Sequence, residues 1–202
     1  MSATRTLDAD QQAVVDALRA AIDASGLTQH AFAKAVGTSP SRLSAYLHGE
    51  TAPSATLLMK FQRIGNALHA ARAENIPTPL DCATSLRRAL ETAKRPSGVL
   101  RFALEARDRL RDTLENRSHL IDAWDARATV GEKHWDTLFA AIVEHEFIEA
   151  GRRAPSWARA EPLDEEWIPA KGRYDESQVR QATPSWLAEK NILLAESALA
   201  VA

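Results

Sequence analysis

The 202-residue sequence has one cysteine and no long apolar run, and each shortage excludes a class of protein. A lone Cys82 can form neither an internal disulfide nor a cysteine zinc cluster. No stretch approaches the roughly 20 apolar residues of a membrane span, and residues 1–10 lack the apolar core of a signal peptide. We therefore expect a cytoplasmic protein without a membrane segment.

Motifs of common catalytic and cofactor sites are missing as well. The sequence has no glycine-rich phosphate loop, no G-x-S-x-G and no convincing Cys–His pair. His145, between Glu144 and Glu146, resembles a fragment of a metal site, but the HExxH spacing is absent. The polar face of an ordinary amphipathic helix explains these residues better. We expect no enzyme, no metal and no cofactor.

The sequence does have apolar residues at helical spacing and basic residues concentrated in one region. An apolar content of 45% is enough for a substantial core in one or two domains. The net charge of −2 hides an asymmetry, because residues 28–72 contain five basic side chains and one acid, Glu50. The five are Lys34, Arg42, Lys60, Arg63 and Arg72.

Residues 28–36 predict a short helix. Thr28 is a typical N-cap, and Phe32 and Val36 are apolar positions at helical spacing. The pattern stops at Gly37, a residue that tolerates the left-handed backbone of a helix end.

A second short helix follows the turn at Gly37. Ser39 can cap it, and Pro40 suits its first position, where the missing N–H costs nothing. Leu43 and Tyr46 give this helix a buried side. Two short helices joined by a tight glycine turn are typical of a helix-turn-helix, whose second helix enters the major groove of DNA.

The pattern that carries the motif consists of Leu27, Thr28, Gln29, Ala33, Gly37, Ser39, Ser41, Leu43, Ser44, Tyr46 and Gly49. On these residues the segment resembles the helix-turn-helix of Cro/CI-type (XRE) regulators, extended to about residue 71. The chain departs from the family pattern at Pro40, which replaces a polar residue, and at Leu47 and His48 near the end of the second helix.

The resemblance implies which residues contact DNA. Arg42 is the strongest candidate for a base contact, because arginine can bind guanine O6 and N7 with two hydrogen bonds. The family reads two half-sites as a dimer, which implies a homodimer on a palindromic operator in double-stranded DNA. The expected major-groove residues are Pro40, Ser41, Arg42, Ser44 and Ala45; Gln29 and Ser39 are expected near phosphates, and Lys34, Lys60 and Arg63 are weaker phosphate candidates.

Further helices complete a first domain over residues 1–75. Residues 9–24 before the motif and a segment capped by Ser54 after it both show helical apolar spacing. Pro77 and Pro79 then break the pattern and mark a domain boundary. We expect an all-α, lambda-repressor-like domain of four to five helices.

Residues 80–151 predict a second, helical domain that dimerises or contacts a partner. A long helix starts at Val99, and residues 120–124 and 135–147 predict two more. The apolar rows of residues 99–114 and 135–147 are the candidate dimer surface. The arginines of the long helix indicate a solvated face more than a second phosphate-binding surface, because acids share that face.

Residues 152–202 form an acidic tail that contains prolines and three tryptophans, Trp157, Trp167 and Trp186. Neither a helical nor a strand period persists there. Large aromatic side chains are costly to leave in water, so they are covered by the protein's own domain or by a partner. Packing on the chain itself is the simpler explanation, and we also predict that the three tryptophans anchor a partner protein.

Two function hypotheses follow from these features. The first is an antitoxin of a toxin–antitoxin operon that represses its own transcription and binds a cognate toxin, because the whole is similar to longer XRE-type antitoxins. The second is a phage-type or housekeeping repressor whose C-terminal half dimerises or senses a ligand. Both hypotheses assign sequence-specific DNA binding to the first domain.

Overall fold

The computed structural model describes residues 7–93, 95–169 and 175–200, and the regular secondary structure in these ranges is helical, with no strand. The predicted all-α fold is confirmed. Within the same ranges, no helix is long and apolar enough to span a bilayer. The elements are α1 (Ala9–Ser25), α2 (Gln29–Val36), α3 (Pro40–Leu47), α4 (Ala55–Ala73), α5 (Pro79–Thr92), α6 (Pro96–Asn116), a 3₁₀ helix (Ser118–Asp125), α7 (Lys133–Glu149), a 3₁₀ turn (Ser156–Ala158), α8 (Glu176–Ala182), α9 (Ser185–Ala188) and α10 (Glu196–Leu199).

The chain divides into two compact units. Unit 1 contains residues 7–78 and His119–Arg127, and unit 2 contains Pro79–Ser118 and residues 128–200. Whether the predicted ranges 1–75, 80–151 and 152–202 fold independently stays a prediction.

Unit 1 is built around the close packing of α1 against α4. Gly65 of α4 lies so near to α1 that a Cβ at this position would be 2.4 Å from the carbonyl oxygen of Ala21. Phe32 of α2 and Phe61 of α4 meet edge to face in the core, with ring centres 5.9 Å apart. The buried apolar sides of α2 and α3 pack against this core, which fixes the positions of both helices.

The segment His119–Arg127 completes unit 1, although the chain on both sides of it belongs to unit 2. Trp124 is only 1% exposed, and Leu120 is equally buried. The Arg127 N–H donates a hydrogen bond of 2.6 Å to the Ala35 carbonyl oxygen near the end of α2. Residues 120–124 are therefore part of a 3₁₀ helix in unit 1, and the predicted α-helix of the second domain is wrong at this point.

The apolar rows of residues 99–114 and 135–147, which the sequence predicts as a dimer surface, are buried by the packing of unit 2. The long helix α6 begins at Pro96 and not at Val99, because proline fits the first helical turn, where no acceptor is needed for its missing N–H. Most apolar side chains of residues 99–114 and 135–147 are buried within the chain. Among the described residues, the large hydrophobic side chains that remain exposed are Met59 and Ile148. The predicted dimer surface is thus not an exposed apolar face.

The tail folds onto itself inside unit 2. The Trp167 N–H donates to the Asn191 carbonyl oxygen (2.8 Å), and the Leu193 N–H donates to the Trp167 carbonyl oxygen (2.8 Å). Lys190 donates to the Ala160 carbonyl oxygen (2.8 Å). The predicted tail also includes residues 170–174 and 201–202, which lie outside the described residues.

Candidate nucleic-acid interface

The turn between α2 and α3 is built by local hydrogen bonds. Gly37 has a φ of 79°, and its N–H donates to the Lys34 carbonyl oxygen (3.1 Å), which ends α2. The Ser39 hydroxyl accepts a hydrogen bond from the Arg42 N–H (3.2 Å) and caps α3, with Pro40 at its first position. The predicted helix-turn-helix geometry is confirmed at each of these residues.

Helix α3 has one side in the core and one side in solvent. Leu43 is fully buried and Tyr46 is nearly so, which fixes the rotation of the helix. Ser41 and Arg42 are exposed on the opposite side, in the first turn. The other predicted groove residues are half-buried: Pro40, Ser44 and Ala45.

Two of the predicted phosphate neighbours lie at helix starts. Gln29 is the first residue of α2 and is exposed, and Ser39 is the exposed cap of α3. Backbone N–H groups at a helix start suit an anionic oxygen, because the first four have no partner within the helix. Ser39 also lies 3.1 Å from the Ser41 hydroxyl, oxygen to oxygen.

The basic side chains predicted to contact phosphates have different surroundings. Lys34 is exposed. Lys60 donates a hydrogen bond of 3.1 Å to the Val36 carbonyl oxygen at the end of α2. The structure thus brings Lys60 to the end of α2 as a cap.

Arg63 is bound on both sides by carboxylates of unit 1. Its guanidinium lies 2.5 Å from Asp122 and 2.6 Å from Asp125, nitrogen to oxygen. Partial burial would lower the pKa of Arg63, but these two acids outweigh burial and raise it. The sequence could not reveal these partners, because they lie about 60 residues further along the chain. These two carboxylates compete with a phosphate for Arg63, so the pairing disfavours its predicted phosphate contact, which stays a prediction.

His48 is a residue that the predicted contacts left out. It is exposed at the end of α3, and its Nδ1 lies 2.8 Å from the Ser44 carbonyl oxygen. The signal that marked it in the sequence was its departure from the family pattern at this position. The ring closes the C-terminal end of α3 and lies beside the predicted groove residue Ser44.

The three tail tryptophans are half-buried and lie along α7. Each has a ring neighbour on that helix, and the contact points are spread along its length, so the rings do not form one cluster. Trp157 faces Phe139 (5.6 Å between ring centres), Trp167 faces Trp135 (5.0 Å), and Trp186 stacks on His145 (4.2 Å). Their predicted role as anchors for a partner stays a prediction.

The residues that resembled part of a metal site have other neighbours. Glu144 pairs with Lys190 (3.4 Å) and Glu146 with Arg111 (2.7 Å), while His145 stacks on Trp186. In the described part of the chain, no three or more His, Cys, Asp or Glu side chains lie together in a group that could hold a metal ion.

Comparison with known proteins adds one match. The family model described as "Helix-turn-helix" matches residues 18–66, from the middle of α1 into α4. Neither the curated proteins nor the solved structures include a match to the chain. The matched segment contains the capped turn and the two-sided α3 described above. The chain is therefore a DNA-binding transcription regulator with a helix-turn-helix of the XRE type.

Proposed function

We propose that this regulator is a sequence-specific repressor that reads base edges with the first turn of α3. The observation that carries the proposal is the exposure of Ser41 and Arg42 on a helix whose other side is locked by Leu43 and Tyr46. A side chain on a fixed helix can discriminate between bases because the helix does not rotate to suit each sequence.

Arg42 is the residue that we propose for direct readout. No acidic residue in the described ranges pairs with its guanidinium, so its five donors are available to a ligand. A bidentate contact with guanine contributes about 1–3 kcal/mol of discrimination. Lys34 is the proposed phosphate contact among the basic side chains, with Gln29 and Ser39 as neutral ones.

The test compares Arg42→Ala with Arg19→Ala, an exposed arginine of α1 outside the motif. An operator is first selected from random double-stranded DNA with the parent protein. Fluorescence anisotropy then gives the affinity for that operator and for every single-base-pair change, at one salt concentration. We expect Arg42→Ala to weaken operator binding by about 5- to 150-fold and to relax the preference at one base pair.

Arg19→Ala should bind as the parent does. If Arg42→Ala binds the operator as tightly and as selectively as the parent, α3 does not read DNA through this residue. Lys34→Ala distinguishes a phosphate contact from a base contact. Losing one phosphate contact should make the negative slope of log affinity against log salt shallower by about 0.9 and leave the preferred sequence unchanged.

A dimer remains part of the proposal, since one small module buries too little surface on DNA to be selective. A palindromic operator from the selection and a dimeric mass by light scattering would support it. The apolar rows of α6 and α7 are buried within the chain, and we therefore propose that the dimer uses another surface. A monomeric protein that binds single half-sites would contradict this part of the proposal.

The role of antitoxin is a second, finer proposal, and it rests on the acidic tail. Two of its acids already have partners inside unit 2, because Asp164 lies 2.5 Å from Lys133 and Glu166 pairs with Arg180. These pairings favour a plain repressor over a toxin-binding arm. Co-expression with the product of the neighbouring gene decides between the two proposals. An antitoxin should rescue the growth of cells that express this product, and the rescue should require the tail. A plain repressor should not rescue growth.

A further inference from the structure

Unit 2 contains a polar cavity that DNA recognition does not use. Its volume is about 540 Å³, and it lies among α6, α7 and the C-terminal segment that carries Trp186 and Glu196. Sites for small molecules typically measure about 300–1,000 Å³. The cavity is therefore large enough for a metabolite, and no segment of the described chain fills it.

Two charged side chains that line the cavity are buried. Glu146 is 4% exposed and Arg107 is 7% exposed. The two are not paired with each other: Glu146 accepts from Arg111 (2.7 Å), whereas Arg107 donates to Asp108 (2.8 Å) and to the Leu199 carbonyl oxygen (2.5 Å). Buried ion pairs add little stability compared with apolar residues of the same size, so the fold alone does not require them.

The lining presents both signs of charge. Arg107 and Arg111 supply two guanidinium groups, and Glu146, Glu149 and Glu196 supply three carboxylates, so carboxylates are in excess by one. The hydrogen bond from Arg111 to Glu146 raises the pKa of Arg111, which keeps the guanidinium charged.

Not all of these charges are satisfied by the protein. In the described part of the chain, no basic side chain pairs with Glu149 or with Glu196. Arg111 uses its Nε for Glu146, and its side chain is about half-exposed, which leaves its terminal nitrogens for a ligand. Trp186, which stacks on His145, adds an apolar wall.

We propose that this cavity binds a small amino-acid zwitterion with an additional positive charge, that is, a basic amino acid. Arg111 holds the ligand carboxylate, and Glu149 and Glu196 hold its ammonium groups. Trp186 covers the methylene chain between them. A ligand with one carboxylate and two amines matches the excess of one carboxylate in the lining, and a simple anion does not.

The test is isothermal titration calorimetry on the full-length protein with three probes of similar size. L-Lysine has the one carboxylate and the two ammonium groups of the proposed ligand. Cadaverine lacks the carboxylate, and L-glutamate has the opposite net charge. We expect L-lysine to bind, and cadaverine and L-glutamate to bind at least about tenfold more weakly, because each loses a charge-assisted contact.

Glu149→Gln combined with Glu196→Gln should weaken L-lysine binding by about tenfold or more, whereas Glu161→Gln, an exposed acid outside the cavity, should leave it unchanged. All three side chains are exposed, so the variants should unfold at the same temperature as the parent. The proposal is overturned if L-lysine gives no binding heat, if cadaverine binds as tightly as L-lysine, or if the double variant binds like the parent. The probe comparison uses the unaltered protein and so does not depend on the folding of any variant.

Discussion

Replacing Trp124 by alanine tests whether the segment His119–Arg127 is part of the DNA-binding unit. The indole is 1% exposed and lies in unit 1, while the chain before and after this segment belongs to unit 2. If the segment completes the core against which α2 and α3 pack, then replacing a residue about 80 positions after α3 should impair DNA binding. The effect should come only from the lower stability of unit 1.

The size of the effect follows from the area that the indole buries. A buried tryptophan removes about 150–250 Å² from water, which at about 25 cal/mol per Å² corresponds to roughly 4–6 kcal/mol. Measured truncations of large aromatic residues cost about 3–5 kcal/mol. This is a large part of the total stability of a typical domain, which is about 5–15 kcal/mol. We expect the unfolding midpoint of unit 1 to fall by at least about 10 °C.

The assay follows thermal unfolding by calorimetry and operator binding by anisotropy as the temperature is raised. His119→Ala is the matched control in the same segment, because His119 is exposed and its pair with Glu74 (2.6 Å) is a surface contact worth at most about 1 kcal/mol. We expect Trp124→Ala to lose operator binding at a much lower temperature than either the parent or the control. If Trp124→Ala and the parent lose DNA binding at the same temperature, the segment is not part of the DNA-binding unit.

Three further predictions concern unit 2. Burial raises the pKa of the Cys82 thiol from 9.0 to about 11, so a thiol reagent at pH 8 should react with Cys82 slowly in the native protein and rapidly in urea; equal rates would contradict its burial. Burial would raise the pKa of Glu132, but hydrogen bonds from His134 and the Trp135 N–H outweigh it and lower the pKa below 4.5. The stabilisation from Glu132 is therefore present above pH 4.5 and lost as pH falls through the lowered pKa, so urea midpoints of Glu132→Gln should depend less on acid than those of the parent. Deleting residues 154–202 should expose α7 to solvent and abolish the near-UV circular dichroism signal of unit 2. A deletion variant that keeps the native signal would identify the tail as a separate arm.

The helix-turn-helix could be predicted from the sequence because its determinants are local. The cap at Ser39, the left-handed turn at Gly37 and the proline at position 40 act within three or four residues of each other. The inner and outer sides of α3 followed from the same short spacing. Local rules misplaced the start of α6, because Pro96 is consistent both with a break and with a first helical residue.

Contacts between residues that are far apart along the chain could not be predicted from the sequence. The apolar positions Leu120 and Trp124 indicate a buried face, but nothing in their spacing says which core receives it. The basic charge of Arg63 was visible, whereas its pairing with Asp122 and Asp125 was not. A count of charges over residues 28–72 therefore overestimates the charge that DNA would meet.

The tail shows how an apolar pattern elsewhere in the chain bears on the three tryptophans. Three tryptophans in an irregular, acidic segment predict a cover, either from the chain itself or from a partner, and packing on the chain is the simpler of the two. Residues 138–143 read LFAAIV, an uninterrupted apolar run, and all six are buried in α7. A helix that is apolar on every side must be covered on every side. Helix α6 packs against α7 from one direction, and the tail with Trp157 and Trp167 provides a further layer. A partner protein would therefore have to bind the outer edges of these rings, since their inner faces already contact α7.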